Sequence, residues 1–388
     1  KLTVLTAGID KRVRVAAPSC GGMSDRYSTN PLHLATVSDP PSLKEISCPI
    51  AFLSPSNDFH GRINDLPATV SEIQSEDWRI SCSPHHNHQD TPEYEVITQL
   101  WMDQHLKNSF AFPQTPKIDL KLVPGKQPKV ILQFDESKML SVDVYYTQQG
   151  QIDGKKDNST NTKNRFWHHA NATKYNNRQW TAQMPIFSIN APLWVYANVT
   201  YKLDKSVSGA GYYYGEYSAD RFVLSSLIKT AKPSDLKSSD VVASLKPQTL
   251  IEDFKDSWKK EWFTYKPANW GISTHKVYDP VWKAPKSAKL CMEIYSDKPN
   301  KLVMGLDSYA TEIELNSPGK FAKISLNPSS FTNAEGHPLK GWGGIKELRF
   351  SEAETLRPVR GSQVEPKKIG DKWKGEAPKF RNLRWENN

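Results

Sequence analysis

Along the first third of the chain, apolar residues gather alternately into short continuous runs and helix-spaced stripes. Arg12–Ser19, Ile46–Ser54 and Trp78–Ser83 read as strands, and Pro67–Ser75 and Pro92–Lys107 read as helices. The last helix has the clearest limits. Asp90 and Thr91 can cap it, Pro92 suits its first turn, and Ile97, Leu100, Trp101 and His105 share one face. Strands alternating with helices predict βα units and a parallel sheet. Three strands are few for a parallel sheet, which is normally buried on both faces. Lys1–Asp10 reads as a further helix with Leu2, Leu5 and Ile9 on one side. The expectation is an N-terminally truncated piece of a longer protein.

From about Pro116 the period changes to two. LQF, SVDVYYTQQ, LWVYANVTY and FVLSSL alternate as sandwich strands do, interrupted by a Gly, Lys and Asn-rich loop at Gln148–Asn164. A polar stretch, Lys229–Lys246, reads as a linker. A second all-β segment follows, with strands near Ala288–Ser296, Lys301–Leu306, Glu312–Leu315, Ala322–Leu326 and Ile345–Phe350. Beyond Glu352 the chain is rich in Pro, Gly and charge and reads as a surface strap anchored by Trp373 and Trp385. The expected organisation is an α/β region (1–112), a β-sandwich (113–228), a linker (229–249), a second sandwich (250–352) and an extended tail (353–388).

Composition narrows the function. The 388 residues are 37% hydrophobic and include 12 Trp, enough for ordinary cores. Basic residues exceed acidic ones, 51 to 42, but the tail alone holds 9 basic against 5 acidic residues, so no focused basic stripe marks a nucleic-acid reader. No apolar run is long enough for a membrane span. Cys20, Cys48, Cys82 and Cys291 form no CxxC pair and read as buried small hydrophobes. Asn158, Asn171 and Asn198 lie in glycosylation sequons.

Candidate chemistry lies in two loops, SPSNDFHGRIND (Ser54–Asp65) and SPHHNHQD (Ser83–Asp90), each following a predicted parallel strand. Open α/β sheets place their sites at such strand ends. An acidic residue after one strand and a histidine after the next is the chain order of α/β-hydrolases. Asp58 would orient the imidazole of His88 and stabilise its protonated form, with His85 and His86 as rival bases and Asp65 as a substitute acid. The nucleophilic serine would lie in an elbow just upstream of Lys1. Ser19 lacks the preceding glycine of an elbow and reads as a packed or loop serine. His168, His169 and Tyr212–Tyr214 read as loop or sandwich-edge residues. The same histidines, with Asp58, His60 and Asp90, also permit a metal-dependent hydrolase, although no third ligand stands at a diagnostic spacing.

KLTVLTAGIDKRVRVAAPSCGG resembles the segment after the nucleophile elbow in bacterial α/β-hydrolases related to acetylxylan esterases and to the PhoPQ-activated pathogenicity-related proteins. RQWTAQMPIF and PLWVYANVTY are similar to a motif in the sandwich that follows the hydrolase in the second group. The resemblance covers Lys1 to about Leu227. It implies that the first region is the C-terminal part of an α/β-hydrolase sheet, in an exported serine esterase with Asp58 as triad acid and His88 as base. The substrate would be a carboxylic ester, with acyl groups on polysaccharide as the candidate, and no cofactor or metal is expected.

Leu250–Phe350, through IEDF, EWFTYKPANW and WGGIKELRF, resembles a galactose-binding-type jelly roll. Trp262, Trp270 and Trp342 are its candidate sugar-stacking residues, beside Trp258 and Trp282, although core packing is the commoner fate of tryptophan in a sandwich. The alternative function is a non-catalytic carbohydrate-binding or surface-interaction protein.

Overall fold

The computed structural model describes residues 1–20, 28–151, 162–177, 179–211 and 215–387. Asn158, Tyr212–Tyr214 and most of the Gln148–Asn164 loop lie outside them. The chain divides into two compact units, Lys1–Leu245 and Lys246–Asn388.

Unit one opens with three short helices, α1 (Leu2–Ile9), α2 (Pro31–Thr36) and α3 (Asp39–Leu43). It continues with β1 (Ile50–Leu53), α4 (Leu66–Glu72), β2 (Trp78–Ser81) and α5 (Pro92–Lys107). Strands β1 and β2 pair in parallel, Phe52 opposite Ile80. Helix α5 has the limits that the sequence predicts. Its N-cap is Thr91, without a side-chain cap bond, and Asn108 closes it in the left-handed region. Val96, Ile97, Leu100 and Trp101 sink into a core shared with Ala51 and Leu53 of β1.

The expected α/β-hydrolase sheet is not formed. Among the described residues the parallel sheet has two strands, and most of the chain belongs to antiparallel sheets. Arg12–Ser19 touches β1 only through the isolated parallel bridges Ala16–Ile50 and Ser19–Leu53. Pro18, in between, has no N–H to donate to a ladder. On the far side, β2 meets the sandwich rather than another parallel strand. The Ser81 hydroxyl donates to the Val223 carbonyl (3.0 Å), and the Cys82 N–H donates to Ser225 Oγ (2.8 Å). The apolar side of α1 is not its buried side. Leu2 and Ile9 are exposed, whereas Val4, Ala7 and Gly8 are buried. Gly8 lies so close to the Ser42 carbonyl that a Cβ would clash with it, which lets α1 and α3 pack backbone to backbone.

The sandwich that follows is built from β3 (Lys117–Lys121), β4 (Lys129–Gln133), β5 (Met139–Thr147), β6 (His168–Asn171), β7 (Thr173–Asn176), β8 (Gln179–Gln183), β9 (Leu193–Gly211), β10 (Gly215–Ser225) and β11 (Lys229–Ala231). One sheet runs β3-β4-β8-β7. The other runs β10-β9-β5-β6, with β11 on β9. Period-two alternation turns Ile118, Val130, Leu132 and Ala182 of the first sheet towards Val142, Val144, Val195 and Val199 of the second, in one core. The polar stretch expected to be a linker belongs to this unit. It supplies β11 and α6 (Pro233–Ser238), and buries Ala231, Leu236 and Val241.

Unit two pairs β12 (Leu250–Glu252), β21 (Lys379–Glu386), β14 (Lys289–Tyr295) and β17 (Phe321–Leu326) in one sheet. The second sheet contains β13 (Ile272–Thr274), β18 (Leu348–Ser351), β15 (Asn300–Leu306) and β16 (Tyr309–Leu315). Phe350 of β18 and Phe380 of β21 meet across the core at 4.9 Å between ring centroids. The tail is more than a strap. β19 (Ala353–Leu356) and β20 (Lys367–Gly370) form a hairpin sheet, and β21 lies between β12 and β14. Trp373 and Trp385 are buried anchors.

Candidate functional site

Parallel pairing brings the two chemistry-bearing loops side by side. It continues beyond β1 and β2 through Ser54 N–H to Ser81 O (2.9 Å), Ser56 N–H to Ser83 O (2.9 Å) and Asn57 N–H to His86 O (3.0 Å). A turn closed by the Asp58 N–H on Pro55 O (3.0 Å) then presents Asp58 beside the second loop. Asp58 is fully buried. Its carboxylate accepts the His60 N–H at 2.7 Å and lies 3.1 and 3.3 Å from His88 Nδ1. The His88 side chain is 43% exposed. With Nδ1–H donated to the carboxylate, Nε2 carries the lone pair of a base.

The hydrogen bond to Asp58 raises the His88 pKa, and burial opposes it. His60, whose ring centroid lies 5.1 Å from that of His88, is lowered by burial first and by the charge of His88 second. The pair therefore separates two neighbouring imidazoles, with His88 the more basic. Phe59 stacks on His88 at 6.0 Å and shields one face.

The rival residues are engaged elsewhere. His85 is fully buried and packs against Phe166 (5.6 Å) and Tyr145 (6.3 Å). His86 Nδ1 meets the Pro84 carbonyl at 2.9 Å. Asp65 forms a buried ion pair with Arg62 at 2.7 Å. Ser19 Oγ contacts Cys20 Sγ at 3.5 Å. His169 Nε2 lies 2.9 Å from Asp143 Oδ1. Among the described residues no group of three His, Cys, Asp or Glu side chains converges to hold a metal.

Two residues that the sequence left unassigned, Asn57 and Trp167, hold the acid loop. Asn57 Nδ2 donates to the Arg165 carbonyl (2.8 Å) and the His85 carbonyl (3.2 Å), while its Oδ1 accepts the Trp167 indole N–H (2.8 Å). Asn57 and Trp167 thus tie the acid loop to the sandwich. Asp90, expected as a helix cap, turns inward instead and accepts the Ser83 hydroxyl at 2.5 Å. Burial pushes its carboxyl up to about 7. The sequence signal was local: Asn57 and Asp90 stand within the two loops already singled out.

Cys20 (φ +52°), just after Arg12–Ser19, and His85 (φ +63°) and His88 (φ +52°), in the loop after β2, lie in the left-handed region. Among the described residues, five of the seven other non-glycine residues in this region are Asn or Asp, which tolerate it at turns. Such backbone costs on the order of 1 kcal/mol per residue and persists where surrounding packing enforces it, often at sites. The four cysteines are free and buried, and burial raises Cys20 and Cys82 above the ordinary thiol range. Asn198 is buried and donates to the Cys82 carbonyl at 3.0 Å, so its sequon is closed to glycosylation in the folded chain.

In unit two, Trp262 is 5% exposed and donates its indole N–H to Glu252 at 3.1 Å, leaving no face for a sugar. Trp282 is likewise buried. Trp258, Trp270 and Trp342 are half-buried. Trp270 meets Trp373 edge-on at 4.9 Å, and Trp342 contacts Phe331 and Trp385 and donates to the Ala288 carbonyl at 2.7 Å.

No helix among the described residues is long and apolar enough to cross a membrane. Neither a family model nor a curated protein matches the chain. Among solved structures, SGBP-B from a complex xyloglucan utilization locus in Bacteroides uniformis aligns with 72% of this chain and 100% of its own, at 9% identity and a TM-score of 0.19. A likeness of that size carries no argument about fold or function.

Proposed function

We propose that Asp58 and His88 form the proton-transfer pair of an ester-hydrolysing site. The observation that carries this reading is a fully buried carboxylate within 3.1 Å of Nδ1 on a ring that remains 43% exposed. With His88 neutral and Asp58 ionised, Nε2 takes the proton of a hydroxyl attacking the ester carbonyl, and Asp58 stabilises the resulting imidazolium. When the tetrahedral intermediate collapses, the C–O bond to the leaving alkoxide breaks and Nε2–H returns the proton to that oxygen. The substrate class is a carboxylic ester, with acylated polysaccharide as the first to try. Export from the cytoplasm goes with this reading.

The test is hydrolysis of p-nitrophenyl acetate and of acetylated xylan by the protein at its natural length. His88→Ala and Asp58→Asn should each reduce kcat by several orders of magnitude, on the order of 10⁴ for loss of the orienting carboxylate. Unchanged hydrolysis in both variants would sink the proposal.

A second reading is a non-catalytic glycan-binding protein acting through unit two, favoured by the partial exposure of Trp270 and Trp342. Glycan binding abolished by Trp270→Ala and Trp342→Ala, in a protein inert towards esters, is its expected signature.

A further inference from the structure

The outer face of sheet β3-β4-β8-β7 carries a groove that neither reading uses. The alternation that buries Ile118, Val130, Leu132 and Ala182 turns Lys117, Lys129, Ile131 and Gln133 outward, and ladder pairing sets Lys117 beside Gln133 and Lys129 beside Lys121. With Tyr175 of β7 and Gln179 of β8, these side chains enclose about 500 Å³. That volume lies within the range of roughly 300–1,000 Å³ found for ligand sites.

The lining has a definite chemistry. Tyr175 is 59% exposed, a large aromatic surface left in water. Ile131, half-buried, gives the groove an apolar strip. An aromatic ring beside an aliphatic strip suits the C–H face of a pyranose, and the carboxamides of Gln133 and Gln179 both donate and accept, as a row of hydroxyls requires. Charge selects further. Lys121 pairs with Asp119 at 2.5 Å, which leaves Lys117 and Lys129 as a net excess of positive charge. Lys129 Nζ stands 5.8 Å from the Tyr175 ring centroid, so one cation lies beside the stacking surface.

We propose that this groove is a glycan-binding site for an acidic polysaccharide, in which a uronic-acid unit stacks on Tyr175 and its carboxylate meets Lys129 and Lys117. The site is independent of the Asp58–His88 pair and of the tryptophans of unit two.

The test is affinity electrophoresis of the full chain through gels containing polygalacturonate or neutral xylan, with titration calorimetry on oligogalacturonate. The expected result is retardation by polygalacturonate but not by xylan, weakened by added salt. Tyr175→Ala should weaken binding about tenfold, a change of about 1.4 kcal/mol. Tyr175→Phe should retain binding, and Lys117→Gln with Lys129→Gln should abolish it. Circular dichroism and thermal unfolding of each variant check that it is folded. Because the substitutions lie on an outward sheet face, ester hydrolysis should be unchanged. Absence of retardation, equal retardation by the neutral glycan, or binding indifferent to both Tyr175→Ala and the lysine pair would each overturn the assignment.

Discussion

Asp58→Asn isolates the charge of the buried carboxylate from its shape. Asparagine fills the same volume, and its carbonyl oxygen can still accept the His60 N–H now held at 2.7 Å. The negative charge facing His88 is lost, and the amide nitrogen that replaces the second carboxylate oxygen is a donor rather than an acceptor for Nδ1–H. The Asp58 hydrogen bond is the largest influence raising the His88 pKa, and burial opposes it. In the variant burial acts without that opposition, so the imidazole should titrate below its wild-type position. Because the wild-type pKa is raised in the folded state, the stabilisation is complete below the ring's unfolded value and fades as pH rises through the folded one. The His88 side chain is 43% exposed, so solvent screens the pair, and its coupling belongs near the top of the exposed range, about 1 kcal/mol. The assay is a double-mutant cycle with His88→Gln. Urea unfolding, followed by NMR signals of unit-one residues such as Trp101, is measured near about pH 5.5 and about pH 8.5, on either side of the ordinary histidine range. The coupling should be about 1 kcal/mol at the lower pH and smaller at the higher. An NMR titration of the ring gives the direct readout. A His88 titration unmoved by Asp58→Asn, with coupling indistinguishable from zero at both pH values, would refute the reasoning.

Two further predictions concern burial. Asp90 is raised by burial from 3.8 to about 7, so the unfolded chain ionises first. Wild-type stability should fall relative to Asp90→Asn as pH rises from 3.8 to about 7 and then level off. The slope approaches about 1.4 kcal/mol per pH unit where the two states differ by one proton. Urea midpoints measured across that window will show it, and a flat difference would mean that Asp90 is ionised in the fold. In unit two, deletion of residues 379–388 removes β21 from between β12 and β14. Limited proteolysis should then digest unit two while leaving unit one intact, and Trp385→Ala should destabilise unit two by about 3–5 kcal/mol.

The sequence made some elements plain because local chemistry and tertiary context agree there. Helix α5 begins at Pro92 and ends before Asn108 as its stripe requires, and Thr311–Leu315 of β16 and Ala322–Leu326 of β17 follow a period of two. Other elements were hidden by identifiable physics. In β21, Phe380 and Trp385 lie five residues apart, a spacing that breaks strand alternation. A register shift opposite Cys291 and Glu293, with Asn382 at φ +52°, absorbs the extra residue in a bulge. Tail composition therefore pointed to a strap where the fold uses an interior strand. Lys229–Lys246 misled in a similar way, since its polar majority masks Ala231, Leu236 and Val241, which reach the core. For α1 the apolar stripe was real, but Ala7 and Gly8 permit a closer approach to α3 than Leu2 and Ile9 would, and the close face won.

The juxtaposition of Asp58 and His88 was legible for a different reason. Two loops that leave adjacent parallel strands at the same end must be neighbours, whatever else the sheet contains. The surrounding sheet was inferred from the same pattern and was not formed: beyond β2 the chain meets the sandwich at Val223 and Ser225, and Arg12–Ser19 joins β1 only through isolated bridges. What holds the loops lay beyond local reading. Asn57 is 110 residues from Trp167 and 108 from Arg165 in sequence, yet its side chain binds both. Each of those bonds is buried, so breaking one leaves an unpaired polar group at a cost of about 1–3 kcal/mol. The acid loop consequently depends on the sandwich for its shape, and the candidate site belongs to all of Lys1–Leu245 rather than to the βα segment that supplies its two reactive side chains.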